Sequence, residues 1–530
     1  MKQFLLLSLA ALTMAACAEK MTDSGSGDGN EEFEKSFISV NLKTDDASTR
    51  SEDSNEFEEG ETEESFVGNV NFFLFKSDGN AFPVNGVSGR NYKTIKLENG
   101  MREGQILSFS NQKGEYPAYI VAVLNMDERT IQPSYSLQNL YNTLAPIRNA
   151  SNNFIMSNSV YADMEGNIIN ATALEEENIR QSEEEAMENP VQIYVERISA
   201  KVELVAKGDV AGKDATYDTG VSIEGAPIYV KVLNWELFND YNQSIVLKHI
   251  YPEEWGMTDK IGFLWNDPNR FRSYWAASYT GAFPEGNTFN WSEGLEPGDV
   301  TYCGENTRKV EVDADDNVIS DPRAKVIIKG QLVNADGQPL EMISWQDRLY
   351  KENSAVLNAV ASLVSSQIFY KEGEEYKCIT KDDIKIMFGT GAPEELGVKA
   401  FEAYFQLADA SQSKNWYTYS SVNGYETAGA DDVNEILADV EPALMYKDGM
   451  TYYYTDIRHS GSTGSDSEFG VVRNHIYRVN ITDISGLGTS VTDPDVDIDE
   501  PEHPQEAETF VSAEVRILSW RVVNNDYSVK

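Results

Sequence analysis

Hydrophobic and polar residues alternate early in the chain with the period of a half-buried β-strand. Ile38, Val40 and Leu42 fall on one face of this strand, and polar residues lie between them. Residues 44–64 follow as an acidic, Ser-rich segment in which Arg50 is the only basic residue. An Arg in an exposed segment is accessible to a trypsin-like protease, although composition alone favours the alternative of a merely acidic loop.

Strand-like stretches then recur between turns rich in Gly, Asn and Asp. They cover residues 70–75, 119–124, 191–205, 228–238, 324–332, 401–406, 450–454 and 476–481. Residues 354–366 have apolar side chains at helical spacing, and the Glu-rich residues 174–189 predict a short helix or an acidic linker. Because helices do not alternate with strands, the pattern predicts an all-β fold of sandwich domains, with a domain boundary near Pro190.

The C-terminus carries another alternating strand behind a flexible arm. Residues 491–509 are acidic and contain three prolines, which is typical of a solvated, extended linker. The apolar positions beyond it form two faces whose phase slips once; they are Val511, Ala513, Val515, Ile517, Leu518, Trp520 and Val522. An apolar strand beyond such an arm suggests that its own domain is closed without it.

The first residues have the pattern of an export signal. Residues 4–12 are almost entirely apolar but too short to span a bilayer, and Cys17 follows small residues. This arrangement resembles a bacterial lipobox, in which the new N-terminal cysteine carries a lipid; an unpaired Cys in a discarded leader is the alternative. Residues 22–30 are Ser, Gly and Asp almost throughout, as expected of a tether.

The composition of the chain disfavours several classes of function. The 530 residues include 43 Lys and Arg against 87 Asp and Glu, for a net charge of -44, which disfavours a nucleic-acid partner. Only 4 His and 3 Cys are present, so metal sites and His-based or Cys-based catalysis are poorly supplied.

Candidate chemistry is correspondingly weak, and we predict no catalytic residue, metal site or cofactor. Asp313 and Asp315 resemble the start of a calcium loop, but the Gly and Glu of an EF-hand do not follow. His459 and His475 lie near Ser460 in sequence, yet proximity does not define a triad. Whether Cys303 and Cys378 form a disulfide stays open.

Aromatic residues offer one alternative. The run at 452–454, together with Trp235, Trp275 and Trp291, could form a platform for stacking sugars, although aromatic residues of β-sandwiches are more often core residues.

Several motifs in order along the chain resemble the fimbrillins, the type V pilins of Gram-negative bacteria, and most closely the major subunit of short (minor) fimbriae. The motifs are residues 195–202 (VERISAKV), 302–307 (YCGENT), 452–454 (YYY), 471–477 (VVRNHIY) and 510–523. Each motif is moderately specific, and their order and spacing strengthen the resemblance, which runs from the lipobox to the C-terminus.

The resemblance implies two transthyretin-like β-sandwich domains and a defined maturation. The implied parts are a signal and lipobox (1–17), a removed propeptide with the first strand (18–50), an N-terminal domain (51–190), a C-terminal domain (191–490) and a donor arm (491–530). An Arg-specific or trypsin-like protease would cut between Arg50 and Ser51, displacing the strand of Ile38, Val40 and Leu42. The C-terminal strand of another subunit would fill the groove left behind.

The implied function is that of a non-enzymatic pilin. The chain would be a lipoprotein of the outer membrane, anchored through Cys17, that polymerises head to tail into a fimbria serving adhesion and biofilm formation. Its partners would be other copies of itself, tip and anchor subunits and the processing protease. The outgoing donor arm favours a stalk subunit over a tip subunit. A surface glycan-binding lipoprotein is the alternative.

Overall fold

The computed structural model describes residues 33–43, 57–85, 89–97, 103–159, 161–162, 168–210, 212–249, 288–314, 318–459, 468–498 and 510–521. Strands predominate in these residues, which confirms the predicted all-β class. The strands of the first half are β1 (Phe33–Lys43), β2 (Phe57–Glu59), β3 (Asn69–Phe75), β4 (Tyr92–Lys96), β5 (Gln105–Gln112), β6 (Tyr119–Leu124), β7 (Leu144–Pro146), β8 (Met156–Asn158), β9 (Tyr161–Ala162), β10 (Ile168–Ile169), β11 (Thr172–Ala173), β12 (Val191–Arg197), β13 (Ser199–Ala206), β14 (Asp209–Val210), β15 (Lys213–Asp214), β16 (Thr216–Ile223), β17 (Ala226–Phe238) and β18 (Gln243–Ile245).

The second half continues in the same way, and the two α-helices described there are longer than the two described in the first half. Its strands are β19 (Val300–Gly304), β20 (Glu311–Val312), β21 (Val318–Ser320), β22 (Lys325–Val333), β23 (Met342–Trp345), β24 (Arg348–Tyr350), β25 (Ile368–Glu372), β26 (Glu375–Cys378), β27 (Ile384–Phe388), β28 (Glu402–Leu407), β29 (Trp416–Ser420), β30 (Gly424–Ala428), β31 (Ala443–Tyr446), β32 (Met450–Asp456), β33 (His475–Ser485), β34 (Thr489–Ser490) and β35 (Phe510–Arg521). The α-helices of the described residues are α1 (Leu137–Tyr141), α2 (Glu183–Glu188), α3 (Asn353–Val364) and α4 (Ala430–Ala438).

The N-terminal sheet has the strand order β4-β3-β6-β8-β12-β1-β5, and β11 pairs with β6. One face of β1, β3, β5, β6 and β12 lines a single apolar core. The continuous apolar run of β6 has a direct explanation, because both of its faces are covered. Ile120 faces that core, and Val121 faces a second core that residues 131–147 help to form.

The change from the first sheet to the second falls at Ile198. β12 pairs with β1 and β8 in the N-terminal sheet, whereas β13 pairs with β19 and β33 in the next sheet. Residues 191–205 are therefore two strands in two sheets, and the change of sheet comes after Arg197, within ten residues of Pro190. A continuous backbone thus links the two cores directly.

The C-terminal sandwich packs one five-stranded sheet, β19-β13-β33-β35-β2, against another, β16-β17-β22-β32-β34. Alternate residues of both sheets meet in the core, as expected of two packed sheets. Val202 and Val479 come from the first sheet, and Val230, Ile328 and Tyr453 come from the second. All five side chains are buried.

A third unit, formed by residues 342–446, interrupts the C-terminal sandwich between β22 and β32. It consists of a five-stranded sheet, β24-β23-β31-β28-β27, a four-stranded sheet, β26-β25-β29-β30, and helices α3 and α4 around a separate core. Helix α3 agrees with the helix predicted at residues 354–366, since Val356, Val360 and Val364 recur at a four-residue spacing and are buried. The hydrophobic pattern alone does not predict that residues 342–446 form their own core.

Candidate functional site

Strand β1 is an internal strand of the N-terminal sheet. It pairs antiparallel with β5, from Phe33 opposite Gln112 to Val40 opposite Gln105, and parallel with β12, from Val40 opposite Val191 onward. We call the space between β5 and β12 that β1 fills the strand groove. Among the described strands, β5 is joined to the N-terminal sheet through β1 alone, so the strand groove depends on an occupant.

The side chains of β1 fit the strand groove closely. Ile38 and Val40 have no exposed surface and Leu42 is 1% exposed, as the alternating pattern predicts. Ser39, on the opposite face, is also buried at 1% exposure. The strand groove therefore selects its occupant on both faces, with apolar pockets on one side and room for a small residue on the other.

Hydrogen bonds from side chains fix the register of β1. The Ser36 hydroxyl donates to Asn111 Oδ1 at 2.8 Å in a buried position. Near the other end of the strand, Asn41 Oδ1 accepts from the Gly104 backbone N–H at 2.8 Å. These bonds add to the backbone ladder and specify which residue lies opposite which.

The next described strand after β1 belongs to a different sheet. Described residues resume at Phe57, where β2 pairs with β35 in the C-terminal sandwich. The predicted processing residues Arg50 and Ser51 lie outside the described residues, as does the predicted lipidation residue Cys17. Because Arg50 lies between β1 and β2 in sequence, a cut there would leave β1 attached to the rest of the molecule by non-covalent contacts alone.

The C-terminal strand β35 lies near the edge of its own sandwich. It pairs antiparallel with β33, from His475 opposite Ser519 to Ser485 opposite Phe510, and only the three residues of β2 lie beyond it. Val511 is partly buried against the sandwich core, while Val522 lies outside the described residues. The sequence suggested a domain closed without this strand, whereas in the structure the strand completes its own sheet.

The start of the predicted arm is docked and not extended. Val491 is 4% exposed, and Ile498 exchanges two backbone hydrogen bonds with Phe289, at 3.0 and 2.7 Å. The backbone N–H of Ser292 also donates to the Pro494 carbonyl at 3.0 Å. The expectation that all of residues 491–509 form a solvated linker is therefore wrong for residues 491–498, because partners distant in sequence hold them.

The signature at residues 195–202 holds the segment that follows the predicted cut site. Arg197 is fully buried, and its Nε donates to the Glu64 carbonyl at 2.9 Å. The Glu64 carboxylate accepts from Lys201 Nζ at 2.9 Å and from the Tyr302 hydroxyl. Burial opposes charge on Glu64, but the hydrogen bonds from Tyr302 and Lys201 outweigh it and lower the pKa of Glu64.

A second buried ion pair joins two other motifs of the resemblance. Arg473 Nε lies 3.2 Å from Glu305 Oε2, and both side chains are inaccessible to solvent or nearly so. The guanidinium also donates to the Ile245 carbonyl at 2.7 Å and to the Val246 carbonyl at 3.2 Å. The conjunction of YCGENT and VVRNHIY in the sequence thus has a structural cause, since their Glu and Arg form one buried pair.

His459 and His475 come together in this region, with ring centroids 5.4 Å apart. His459 Nδ1 is 2.7 Å from the Tyr477 hydroxyl, and His475 Nδ1 is 2.8 Å from the Arg473 carbonyl. Burial lowers the pKa of His459 well below its usual range, and the nearby His475 and Lys248 lower it further. His475 is 2% exposed, His459 is half-buried, and Ser460 lies outside the described residues.

This burial predicts a pH-dependent stability. Folded His459 stays neutral while unfolded His459 takes up a proton below about pH 6.5, so stability is present above that pH and is lost as the pH falls below it. His459→Gln is expected to remove this component. Urea unfolding midpoints from about pH 5 to about pH 8 should therefore fall more steeply on acidification for the parent than for the variant. His503→Gln, in the acidic arm, serves as the matched control, and identical slopes for all three proteins would contradict the prediction.

The aromatic residues considered as a sugar-stacking platform are mostly buried where the structure describes them, as the more common core role predicts. Trp235 and Tyr453 have no exposed surface and Tyr452 is 1% exposed. The indole N–H of Trp291 donates to the carbonyls of Gly330 and Thr451 at 3.1 and 3.0 Å. Trp275 lies outside the described residues. These rings build or border the interior of the C-terminal sandwich, as core aromatics do.

Exposed tyrosines occur instead on the four-stranded sheet of the third unit. Tyr376 stacks on Tyr425 with ring centroids 3.9 Å apart, and Tyr419 lies 5.0 Å from Tyr425. The sequence analysis missed this cluster, although Tyr417 and Tyr419 alternate along β29 and so fall on one face.

The remaining candidate residues are the possible metal ligands and the cysteines. Among the described residues, no three His, Cys, Asp or Glu side chains are grouped so as to hold a metal ion. Asp315 lies outside that part of the chain. Cys303 is a buried core residue of β19 and Cys378 is exposed on β26, and both are free thiols. No helix in the described residues is long and apolar enough to cross a membrane.

Comparison with known proteins finds a family match near the C-terminus. Residues 444–526 match the family described as "Major fimbrial subunit protein type IV, Fimbrillin, C-terminal". These residues contain β32, β33, β35 and the buried Arg473. The resemblance to the fimbrillins is thereby confirmed over this segment of the chain.

The solved structures that match this chain are distant from it in sequence. One is a proposed cell adhesion protein from Parabacteroides distasonis ATCC 8503, with 13% identity, a TM-score of 0.40 and coverage of 92% of this chain and 97% of that one. A fimbrilin from Porphyromonas gingivalis W83 has 13% identity, a TM-score of 0.36 and coverage of 92% and 98%. The truncated tip fimbrial protein of Porphyromonas gingivalis has 10% identity, a TM-score of 0.28 and coverage of 92% and 100%. Among curated proteins, none matches this sequence significantly.

Proposed function

We propose that this chain is the stalk subunit of a cell-surface fimbria and that it polymerises by protease-triggered strand exchange. The observation that carries the proposal is the position of β1, which fills an internal groove of the N-terminal sheet yet is followed by the acidic segment that contains Arg50. A single cut after Arg50 would leave β1 bound by non-covalent contacts alone, so that another strand could replace it. The vacated strand groove would then present unpaired backbone and apolar pockets to the C-terminal strand of another copy.

The position of β35 supports its role as the donor strand, just as the position of β1 supports its role as the displaced strand. β35 has the form of an outgoing strand, because it is held near the edge of its sheet and follows residues 499–509, which contain two prolines. Transfer of β35 to the strand groove of a second copy joins unlike surfaces, so the assembly need not close and can grow as a filament. Possession of an outgoing strand favours a place in the stalk over a place at the tip.

Export and anchoring complete the proposal. Cys17 would carry the lipid that holds the precursor at the outer membrane, and cleavage at Arg50 would release the subunit from this anchor. Tip and anchor subunits and an Arg-specific or trypsin-like protease are the partners this life cycle requires. Adhesion and biofilm formation are the roles that a surface filament of this kind would serve.

The proposal is tested by cutting the purified precursor, starting at Ala18, with an Arg-specific protease. We expect a new N-terminus at Ser51 and the growth of SDS-resistant ladders, because the inserted strand gains a full set of backbone hydrogen bonds. Arg50→Gln should stay uncut at this position and monomeric. A chain lacking residues 510–530 should be cut normally but form no ladder.

The outcome that would overturn the proposal is equally specific. A precursor that is cut at Arg50, loses residues 18–50 and stays monomeric would show that the strand groove is not filled by another copy. Arg90 is the control for cleavage elsewhere, since its side chain is half exposed and bonded to Glu128 at 2.8 Å. Cleavage there would break the folded sheet between β3 and β4.

A further inference from the structure

Two segments at opposite ends of the chain match residue by residue. Residues 36–43 read SFISVNLK and residues 509–516 read TFVSAEVR. Phe and Ser are identical in the second and fourth positions, and each remaining position keeps its hydroxyl, aliphatic, polar or basic character. The first segment belongs to β1 in the strand groove, and all but the first residue of the second belong to β35.

We propose that residues 509–516 of a second copy enter the strand groove in the direction and register of residues 36–43. This inference rests on the proposed strand exchange and assigns its register. Val511 would occupy the pocket of Ile38, Ala513 that of Val40 and Val515 that of Leu42. The incoming strand would run antiparallel to β5 and parallel to β12, as β1 does.

The proposed register also reproduces the polar contacts of β1. Thr509 brings a hydroxyl to the position from which Ser36 donates to Asn111. Glu514 brings a carboxylate oxygen to the position at which Asn41 accepts from the Gly104 N–H. Both replacements keep the donor or acceptor that the strand groove requires, so no buried partner is left unsatisfied.

Neighbouring registers fail at the buried Ser39 position. A shift that places Ala513 in the Ile38 pocket puts Glu514 where Ser39 is 1% exposed, and an unpaired carboxylate is disfavoured there. The opposite shift, with Thr509 in that pocket, puts Phe510 into the space of the serine. Of these three registers, only the proposed one places Ser512 at the position of Ser39.

The second apolar face of the C-terminal strand fits less well. With Leu518 in the Ile38 pocket, Trp520 would have to enter the pocket of Val40, which has no exposed surface. The same register places Arg516 where Ser36 is fully buried. Both replacements overfill the strand groove or bury a charge, so residues beyond 517 are expected to continue past these pockets.

The two segments differ in side-chain volume, and at the three pocket positions the C-terminal residue is the smaller one. Val511, Ala513 and Val515 are each smaller than the β1 residue they would replace, which are Ile38, Val40 and Leu42. The chain's own strand therefore fills the strand groove better than the incoming strand, because each missing methyl group loses packing contacts. An uncut precursor is thereby protected from invasion, and cleavage has to come first.

Cysteine cross-linking between two copies tests the register. Asn41 lies opposite Gln192 of β12, and both side chains are at least partly exposed. A copy with Gln192→Cys is mixed with a copy carrying Glu514→Cys, Arg516→Cys or Ser512→Cys, and both are cut after Arg50. Every copy also carries Cys378→Ser to remove the exposed native thiol. Mild oxidation is followed by mass identification of the linked peptides.

The possible cross-linking results distinguish the register from the strand exchange itself. Ladders in which Gln192→Cys links to Glu514→Cys at least tenfold more than to the other two positions support the proposed register. Ladders with the dominant link at Arg516→Cys or Ser512→Cys overturn the register and leave the strand exchange standing. If the Cys378→Ser parent without an introduced cysteine forms no ladder, both the strand exchange and the register are overturned.

The volume difference gives a second readout. Ala513→Val restores the size of Val40 and buries about two more carbons, so dissociation of the ladder in SDS on heating should slow roughly tenfold. Ala507→Val makes the same change outside the matched segment and should leave this rate unchanged. Equal rates for both variants, or faster dissociation of the Ala513→Val ladder, would contradict the assignment of Ala513 to this pocket.

Discussion

A subunit cut after Arg50 and freed of residues 18–50 is expected to lose most of the stability of its N-terminal sheet. Ile38, Val40 and Leu42 are buried, and burying each such side chain contributes about 1.5–3 kcal/mol. Their combined loss is of the same order as the whole stability of an ordinary domain, roughly 5–15 kcal/mol. Removing β1 also separates β5 from its only described strand partner in that sheet.

Hydrogen exchange resolved by peptide measures this effect where it should occur. Amides of β5 and β12 are expected to exchange much faster in the stripped subunit, while those of β17 and β22 in the C-terminal sandwich keep their protection. A synthetic peptide of residues 509–523 should restore protection in β5 and β12. Unchanged exchange in both strands after removal of β1 would show that the sheet does not depend on its occupant.

Arg473→Ala is expected to destabilise the protein by about 3–5 kcal/mol, because it leaves the Glu305 carboxylate buried without its ion partner. The same change also removes the donors to the backbone carbonyls of Ile245 and Val246. Urea unfolding followed by tryptophan fluorescence reports on this region, since Trp235 lies in the core of the same sandwich.

Two further variants separate the ion pair from a general effect of losing an arginine. Arg129 is 85% exposed and pairs with Asp127, so Arg129→Ala is expected to cost less than about 1 kcal/mol. The double variant Arg473→Met with Glu305→Leu should be more stable than Arg473→Ala, because no unpaired charge stays buried. A double variant as unstable as Arg473→Ala would point to packing and not to charge.

Local patterns predicted the strands well where one face or both faces of a sheet are covered. The alternation at Ile38, Val40 and Leu42 and the apolar run of β6 each follow from the side-chain period of two. The same rule predicted the helix near residues 354–366, because its apolar positions recur with a period near four. These features depend on neighbours within about ten residues, which a single sequence displays.

Features that depend on distant partners were not predictable in the same way. Composition did not distinguish the buried ring of Trp235 from the exposed ring of Tyr419, since burial depends on what packs above the strand. Docking of residues 491–498 requires Phe289, which is about two hundred residues away. The role of residues 195–202 in holding Glu64 was likewise invisible, although the motif itself was recognised.

The docked start of the arm sets a limit on the geometry of any filament. Ile498 is held by Phe289, so only residues 499–509 separate this fixed point from the strand that would be handed over. Eleven residues, counting both ends, span at most roughly 36 Å when fully extended. Successive subunits would therefore be joined by a short linker. This linker would hold each subunit close to the next and limit how far two neighbouring subunits could bend or move apart.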